Sequence, residues 1–293
     1  MNTPKKNMIL VPTDFSDVAN HALEFAIGAA KAFNDTIMLL FIHDIGNAFT
    51  SLFSTNMDNP QHQMIHEAAQ ARYDAIKQEI WDKHNIMVNF TIKDSHQIYK
   101  TIVDTAEELE CESIIMGSHG SQGTKHIIGT NASRVISHSK IPVVVVKNRP
   151  FGEGYKSIVF PVDVHVETRQ KISWAIDLAK KFSSTIHIIS YKKQDEFLRQ
   201  MVAGNMHRVE KRFEEAGVKY TVRTLESSAN FEKETIKYAV ELNADLILEV
   251  TQPESGFADF IIGSSTQQIV NHSPVPVMTV TPHAIGAIDV PGL

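Results

Sequence analysis

The sequence of 293 residues contains one cysteine, Cys111, which therefore has no partner for an internal disulfide. This excludes a disulfide-stabilised secreted scaffold and fits a reducing cytosol. No basic residue stands beside Cys111 to lower the pKa of its thiol, so we expect a cysteine without a redox role.

The sequence also lacks long apolar runs and a basic charge excess, and we expect no leader segment. No stretch reaches the roughly 18 apolar residues of a membrane span. Residues 1–6 are polar and lead directly into an apolar strand, which argues against a secretory signal. The net charge of −6 provides no basic surface for nucleic acid. We therefore expect a cytoplasmic protein that binds neither membranes nor nucleic acid.

Residue patterns of established catalytic sites are missing as well. The sequence has no Gly-Lys-Ser/Thr phosphate loop. No Ser/His/Asp set, Cys/His pair or pair of carboxylates is placed convincingly for catalysis. Without a lysine beside its glycines, fast phosphoryl transfer is not expected, and we predict no catalytic residue.

The chain contains one sequence pattern of apolar runs and helix stripes that occurs twice. Met8–Pro12 is an apolar run ending in Thr13-Asp14, and Ser157–Pro161 is a second ending in Val162-Asp163. Each is followed by a helix with an apolar stripe and by another apolar strand. Such a repeat predicts tandem copies of one domain. The predicted organisation is a first domain over 1–147, a linker over 148–155, a second domain over 156–281 and a tail over 282–293.

Strands and helices alternate within each half, and the strands are continuous apolar runs. Strands of this kind are buried on both faces of a parallel sheet. The predicted fold class is α/β, with two tandem, doubly wound, five-stranded parallel-sheet domains. With a strand order of 3-2-1-4-5, Asp14 and Gly117 would face one crevice. Ser16-Asp17 provides a capping side chain for the first helix. In the first half, strands are predicted near 8–12, 36–43, 86–93, 113–117 and 142–147, and helices near 17–33, 59–84, 96–109 and 129–138.

A glycine-rich stretch follows the fourth apolar run. Ser113-Ile114-Ile115 leads into Met116-Gly117-Ser118-His119-Gly120, and Gly129-Thr130-Asn131 opens the next helix. Glycines at these places allow backbone N–H groups to approach a phosphate chain without interference from a Cβ. The pattern therefore predicts nucleotide binding at the ends of parallel strands.

Four motifs together resemble the universal stress protein family, over nearly the whole chain and as two consecutive domains. They are Pro12–Ser16, Ile114–Gly120, Gly129–Asn131 and Pro142–Val146. The resemblance implies an adenine nucleotide α-hydrolase-like, Rossmann-like fold. The ATP-binding branch of the family has a loop of Gly, two residues, Gly, nine residues, Gly and then Ser or Thr. Gly117, Gly120, Gly129 and Thr130 follow this order here, with eight residues in place of nine.

The resemblance implies ATP, with or without Mg²⁺, as the ligand of the first half. Asp14 would accept a hydrogen bond from the adenosine moiety, and Ile42 would pack near the adenine. Gly129 and Thr130 would hold phosphates, while His119 would either touch a phosphate or stay exposed. The complete set of implied nucleotide contacts is Pro12, Thr13, Asp14, Ile42, Met116, Gly117, His119, Gly120, Gly129, Thr130 and Asn131.

The second half departs from this pattern. We align Glu249-Val250-Thr251-Gln252 with Gly117–Gly120, so that both glycines are lost and Glu249 adds a negative charge. Asp163 is retained, but a turn or cap would explain it. We predict no ATP site here, and interpret this half as a pseudo-symmetric partner or a site for another ligand.

Two further groups of residues leave alternatives open. His62 and His66 are four apart on one predicted helix face, which is either a solvated face or a zinc-binding pair; we favour the solvated face and predict no metal ligand. Phe49, Leu52 and Phe53 lie in a long connection and form either a lid or partner surface, or pack onto the domain.

The leading hypothesis is a cytoplasmic tandem universal stress protein that binds ATP in its first domain and acts as a nucleotide-dependent stress-response or signalling module. The alternatives are a nucleotide-free, dimerising adaptor and a slow ATPase or nucleotidyl-transfer enzyme. The valine-rich strands 142–147 and 276–281 are candidate edges for pairing of the two domains or for a homodimer. An unidentified protein partner is also expected.

Overall fold

The computed structural model describes residues 7–45, 60–118, 129–165, 170–227, 229–251 and 264–281. The chain divides into two compact units. The first comprises Met1–Val135 and Val143–Gly154, and the second comprises Ile136–Pro142 and Tyr155–Leu293.

The first repeat folds as alternating strands and helices. Its strands pair in parallel in the order β3-β2-β1-β4-β5, which is the order assumed in placing Asp14 and Gly117 at one crevice. The elements are β1 (Met8–Thr13), α1 (Asp17–Phe33), β2 (Thr36–Asp44), α2 (Pro60–His84), β3 (Val88–Ser95), α3 (Ile98–Glu108), β4 (Ser113–Gly117), α4 (Thr130–His138) and β5 (Val143–Val146).

The central strand β1 and helix α1 show why these residues fold as they do. Ile9, Leu10 and Val11 are at most 2% exposed, as expected of a strand covered on both faces. The Ser16 hydroxyl accepts a hydrogen bond from the backbone N–H of Ala19 and caps α1, as predicted. The helix ends at Asn34, whose left-handed backbone lets its N–H donate to the Ala30 carbonyl.

Strand β3 lies two residues further along the chain than the sequence predicts. The apolar run predicts a strand over 86–93, whereas the parallel pairing with β2 extends to Asp44 opposite Ser95. The Ser95 hydroxyl then accepts from the backbone N–H of Gln97 in the turn before α3. The extension places Asp94 on the strand, directly opposite His43.

The second repeat has the same strand order as the first. Its strands pair in parallel as β8-β7-β6-β9-β10. Within the described ranges, no helix is both long and apolar enough to cross a membrane. The elements are β6 (Ser157–Pro161), α5 (Lys171–Phe182), β7 (Thr185–Tyr191), α6 (Glu196–Glu215), β8 (Lys219–Leu225), α7 (Phe231–Glu241), β9 (Leu246–Val250), α8 (Ser264–His272) and β10 (Val277–Val280).

Cys111 is buried between α3 and β4, and its backbone N–H donates to the Ala106 carbonyl. Burial raises the pKa of the Cys111 thiol to about 11, and the negative charge of Glu112 adds to this rise. Reactive thiolate is therefore scarce near neutral pH.

Two aromatic residues of the predicted linker over 148–155 are buried, one in the first compact unit and one in the second. The Phe151 ring meets Phe25 edge-on at 5.1 Å between centroids. The Tyr155 ring meets Phe182 in the same manner at 5.4 Å. A Cβ added to Gly28 of α1 would lie 2.6 Å from the Cβ of Phe151, so this glycine makes room for the aromatic ring.

We therefore expect Gly28→Ala to destabilise the chain by about 1–3 kcal/mol through overpacking against Phe151. Gly204→Ala in α6 is the matched control, because its added Cβ would meet only an Arg208 nitrogen at 3.6 Å. Alanine should instead stabilise that helix by about 0.5–1 kcal/mol. Urea unfolding of both variants measures the difference, and a stabilising Gly28→Ala would contradict the packing seen around Phe151.

Candidate functional site

The carboxyl ends of β1 and β4 form the point where the strand order of the first repeat reverses. The two strands pair directly, with Ile9 opposite Ser113 and Leu10 opposite Ile114. Ligands of doubly wound sheets bind in the crevice at such a reversal. The structure thus brings the predicted residues Asp14 and Gly117 to adjacent strand ends.

The turn between β1 and α1 is held by its own side chains. The Thr13 hydroxyl accepts from the backbone N–H of Phe15 at 2.9 Å, and an Asp14 carboxylate oxygen accepts from that of Ser16 at 3.0 Å. Phe15 adopts a left-handed backbone with a φ of 59°, a strained conformation for a bulky residue. Its ring stacks on Phe41 of β2, with centroids 5.5 Å apart. Asp14 therefore has a structural role in addition to its predicted contact with adenosine.

The residues predicted to line the base pocket lie at the ends of three neighbouring strands. Pro12 and Thr13 are half-buried at the end of β1, opposite Leu40 and Phe41 of β2. Ile42 follows in β2 and is also half-buried. Met116 of β4 is only 7% exposed, so its side chain belongs to the core.

The predicted phosphate residues lie where α4 begins. The Ser118 carbonyl, directly after β4, accepts from the backbone N–H of Gly129 at 2.7 Å. This bond ties the end of β4 to the start of α4. Because it engages the Gly129 N–H, phosphate contacts would fall to the next N–H groups of α4 and to the exposed Thr130.

The half-buried Asn131 follows Thr130 in the first turn of α4. His119 and Gly120 lie outside the described residues, as does the shortened spacing between Gly120 and Gly129. Phe49, Leu52 and Phe53 also lie outside them.

Gly117 is required for packing, whether or not a ligand binds. A Cβ at this position would lie 2.6 Å from Cγ1 of Val18 and 3.1 Å from its backbone oxygen. The absence of a side chain lets the start of α1 approach β4. The sequence interpretation gave phosphate approach as the reason for this glycine, and the structure adds a second reason.

Comparison with known proteins places this fold in a family. Residues 7–147 and 154–281 each match the universal stress protein family. The chain belongs to that family. The resemblance inferred from the sequence motifs is confirmed, as is the fold of two tandem Rossmann-like domains.

Relatives of known sequence include both a tandem and a shorter protein. Universal stress protein Slr1230 from Synechocystis sp. is 23% identical over 289 residues, which cover 92% of this chain and 98% of that protein. Universal stress protein MJ0577 from Methanocaldococcus jannaschii is 32% identical over 162 residues, covering 48% of this chain and 94% of its own length.

Solved structures support the fold. A universal stress protein from Archaeoglobus fulgidus superposes with a TM-score of 0.71 at 20% identity, covering 94% of this chain and 96% of its own. A protein described as a putative universal stress protein from Pseudomonas aeruginosa has a TM-score of 0.67 at 18% identity, covering 95% and 94%.

The register of the second universal stress protein domain corrects the predicted alignment. Val250 pairs with Val280 of β10 as Gly117 pairs with Val146 of β5. Val250 is therefore the equivalent of Gly117, and Glu249 takes the place of Met116. The predicted match of Glu249 with Gly117 is wrong by one residue, because an apolar run contains no landmark that fixes its register. A side chain nevertheless stands where the first domain has glycine.

Glu249 forms a buried ion pair. The Lys171 ammonium lies 3.3 Å from its carboxylate and donates to the Leu248 carbonyl at 3.0 Å. The same ammonium lies 4.7 Å from the centre of the Phe160 ring. Burial raises the pKa of Glu249, and the charge of Lys171 counteracts part of that rise. The Glu249 carboxylate is therefore paired inside the second domain. The sequence does not reveal this ion pair, because Lys171 lies in an otherwise apolar stripe of α5.

Three histidines meet one aspartate at the carboxyl ends of β2 and β3, forming a group that we name the His–Asp cluster. It consists of His43 in β2, His62 and His66 in α2, and Asp94 in β3. Each histidine has a ring nitrogen 3.0 Å from a carboxylate oxygen of Asp94. His62 and His66 share one partly exposed helix face, as the sequence suggests, but both rings also contact Asp94, which the sequence interpretation did not include.

The sequence does not reveal this cluster, since its members lie up to 51 residues apart. Partial burial opposes ionisation of Asp94, but hydrogen bonds with His66, His62 and His43 hold the pKa of its carboxyl below the usual range. Imidazole nitrogens and a carboxylate are donors that divalent transition metals accept.

Proposed function

We propose that the first domain binds ATP at the carboxyl ends of β1, β2 and β4, beside the start of α4. The observation that carries this proposal is the Gly129–Ser118 hydrogen bond, which holds the N-terminus of α4 against the end of β4 at the strand-order reversal. A helix N-terminus favours an anion through its free N–H groups and its dipole. Asp14, which the family resemblance assigns to adenosine, follows β1, the strand that pairs with β4.

The two domains would then differ in function. Val250 places a side chain where Gly117 lies in the first domain, which supports a single nucleotide site per chain. The chain would act as a nucleotide-dependent stress-response or signalling module of the cytoplasm. Pairing through strands 142–147 and 276–281 stays a prediction from the sequence.

A nucleotide-free adaptor is the second candidate function. Asp14 holds the turn after β1, and Gly117 makes room for Val18, so neither residue requires a ligand. The equivalent Asp163 accepts from the backbone N–H of His165 at 2.9 Å, within a domain for which no ATP site is predicted. An unidentified protein partner would be the ligand of such an adaptor.

Thr130→Asp tests the nucleotide site without disturbing the fold. An added carboxylate at a helix N-terminus stabilises the helix by about 0.3–1 kcal/mol, but it would repel phosphates. We expect calorimetric titration with ATP and Mg²⁺ to show at least about tenfold weaker binding than for the unmodified chain. Ser264→Asp at the start of α8 is the matched control and should bind as the unmodified chain does.

Equal affinity of Thr130→Asp and the unmodified chain would contradict the proposed phosphate position. A loss of affinity in Ser264→Asp would place the site in the second domain instead. Absence of binding at millimolar ATP would favour the adaptor.

A further inference from the structure

The geometry of the His–Asp cluster is close to that of a metal site. One ligand atom from each of its four side chains lies within 4.8 Å of the others. Zinc binds nitrogen and oxygen ligands at about 2.0–2.2 Å in a tetrahedron, which separates ligand atoms by roughly 3.3 Å. The nitrogen–oxygen distances of 3.0 Å around Asp94 are already near that value.

We propose that His43, His62, His66 and Asp94 bind one Zn²⁺ ion in the first domain. Three imidazoles and a carboxylate suit zinc and related transition metals, whereas Mg²⁺ and Ca²⁺ prefer a shell of oxygen atoms. Four protein ligands complete a tetrahedron and leave no position for a reacting water. The ion would fasten α2 to the ends of β2 and β3 and would not act as a hydrolytic centre.

The number of histidines exceeds what Asp94 needs as an ordinary ion pair. The His62 and His66 ring centroids are 4.2 Å apart, and His43 lies 5.3 Å and 5.9 Å from them. Imidazole rings gathered this closely around one carboxylate can direct their nitrogen lone pairs at a shared cation.

The second domain has an ordinary ion pair at the positions equivalent to His43 and Asp94. Lys192 lies seven residues after Thr185, as His43 lies seven after Thr36. Its ammonium pairs with Glu226 at 2.9 Å, one position beyond the last paired residues of β7 and β8. A single lysine satisfies that carboxylate, whereas the first domain gathers three imidazoles around Asp94.

The cluster is accessible to an ion from solution. The side chains of His43, His62, His66 and Asp94 are 19–29% exposed. Zinc can therefore enter and bind without unfolding of the domain, and its binding should stabilise the folded state by mass action.

His43→Lys is the decisive variant, because it copies Lys192 and can keep an ion pair with Asp94 while removing a zinc ligand. The full chain is stripped with a chelator and titrated with Zn²⁺ against a competing chromophoric chelator. We expect one Zn²⁺ per unmodified chain and an affinity at least about tenfold lower for His43→Lys. Asp94→Asn should also bind more weakly, and the control Lys192→His should bind as the unmodified chain does. Zinc should raise the melting temperature of the unmodified chain more than that of His43→Lys.

Unchanged zinc affinity in both His43→Lys and Asp94→Asn would reduce the site to the His62–His66 pair and overturn the proposal. No zinc bound at 1:1 stoichiometry, or equal binding of Mg²⁺, would overturn it too. The titrations contain no nucleotide, and Thr130→Asp should bind zinc normally. Failure of the zinc site is thus distinguishable from failure of the nucleotide site.

Discussion

Lys171→Met is expected to destabilise the second domain by about 3–5 kcal/mol, because it leaves Glu249 buried without its cation. Lys171 is 1% exposed and Glu249 7%, so water can solvate neither charge as fully as it would at the surface. The ammonium also donates to the Leu248 carbonyl, which would lose this hydrogen bond. Urea unfolding at pH 7 measures the loss.

The pH dependence gives this prediction a second readout. Burial already raises the pKa of Glu249, and removal of Lys171 removes the charge that opposes the rise. The folded state then retains a proton that the unfolded state releases above its own pKa of about 4.3. Stability of Lys171→Met should therefore fall as pH rises from about 4 toward neutrality, so its deficit should be larger at pH 8 than at pH 5.

The first domain provides the matched compensating change. Met116 occupies there the position that Glu249 occupies in the second domain, so Lys171→Met combined with Glu249→Met replaces the ion pair with apolar groups. Such replacements are often neutral or stabilising. We expect the double variant to recover most of the stability lost in Lys171→Met. A double variant as unstable as the single one would show that shape, and not charge, makes Lys171 necessary.

Gly117→Ala is expected to destabilise the first domain by about 1–3 kcal/mol, even without nucleotide. The added Cβ would meet Val18 at 2.6 Å, and the backbone oxygen of Val18 at 3.1 Å leaves little room to shift. Overpacking at this contact would push the start of α1 away from β4. Denaturant unfolding of the nucleotide-free chain measures the effect.

Combining Gly117→Ala with Val18→Ala tests the contact directly. Removing Cγ1 of Val18 relieves the closest clash, so the two changes together should cost less than the sum of their separate effects. Residues in contact typically show coupling of about 0.5–3 kcal/mol. Additive effects would mean that Gly117 is retained for another reason. Because Gly117 variants alter packing, Thr130→Asp is the cleaner test of nucleotide binding.

The framework around the site is predictable from the sequence, because it depends on continuous apolar runs and local capping. The apolar runs of β1 and β4 indicate strands covered on both faces of a sheet. Ser16 caps α1 through a contact three residues away. These features require no knowledge of distant partners.

The remaining features depend on register and long-range contacts that local patterns do not encode. Asp94 meets His43 only because pairing with β2 carries β3 past its apolar run. Glu249 lies one position earlier in the repeat than the sequence alignment suggests. Phe151 fills the space above Gly28, 123 residues earlier in the chain. Each of these contacts becomes visible only after the sheet is assembled.

Counting nucleotides per chain tests the central claim most directly. Native mass spectrometry of the purified chain in excess ATP, beside the Thr130→Asp variant, resolves each bound nucleotide by its mass. The account predicts one ATP per unmodified chain and a clearly smaller ATP-bound fraction of Thr130→Asp at the same concentration. Two nucleotides per chain, or none on the unmodified chain, would contradict it.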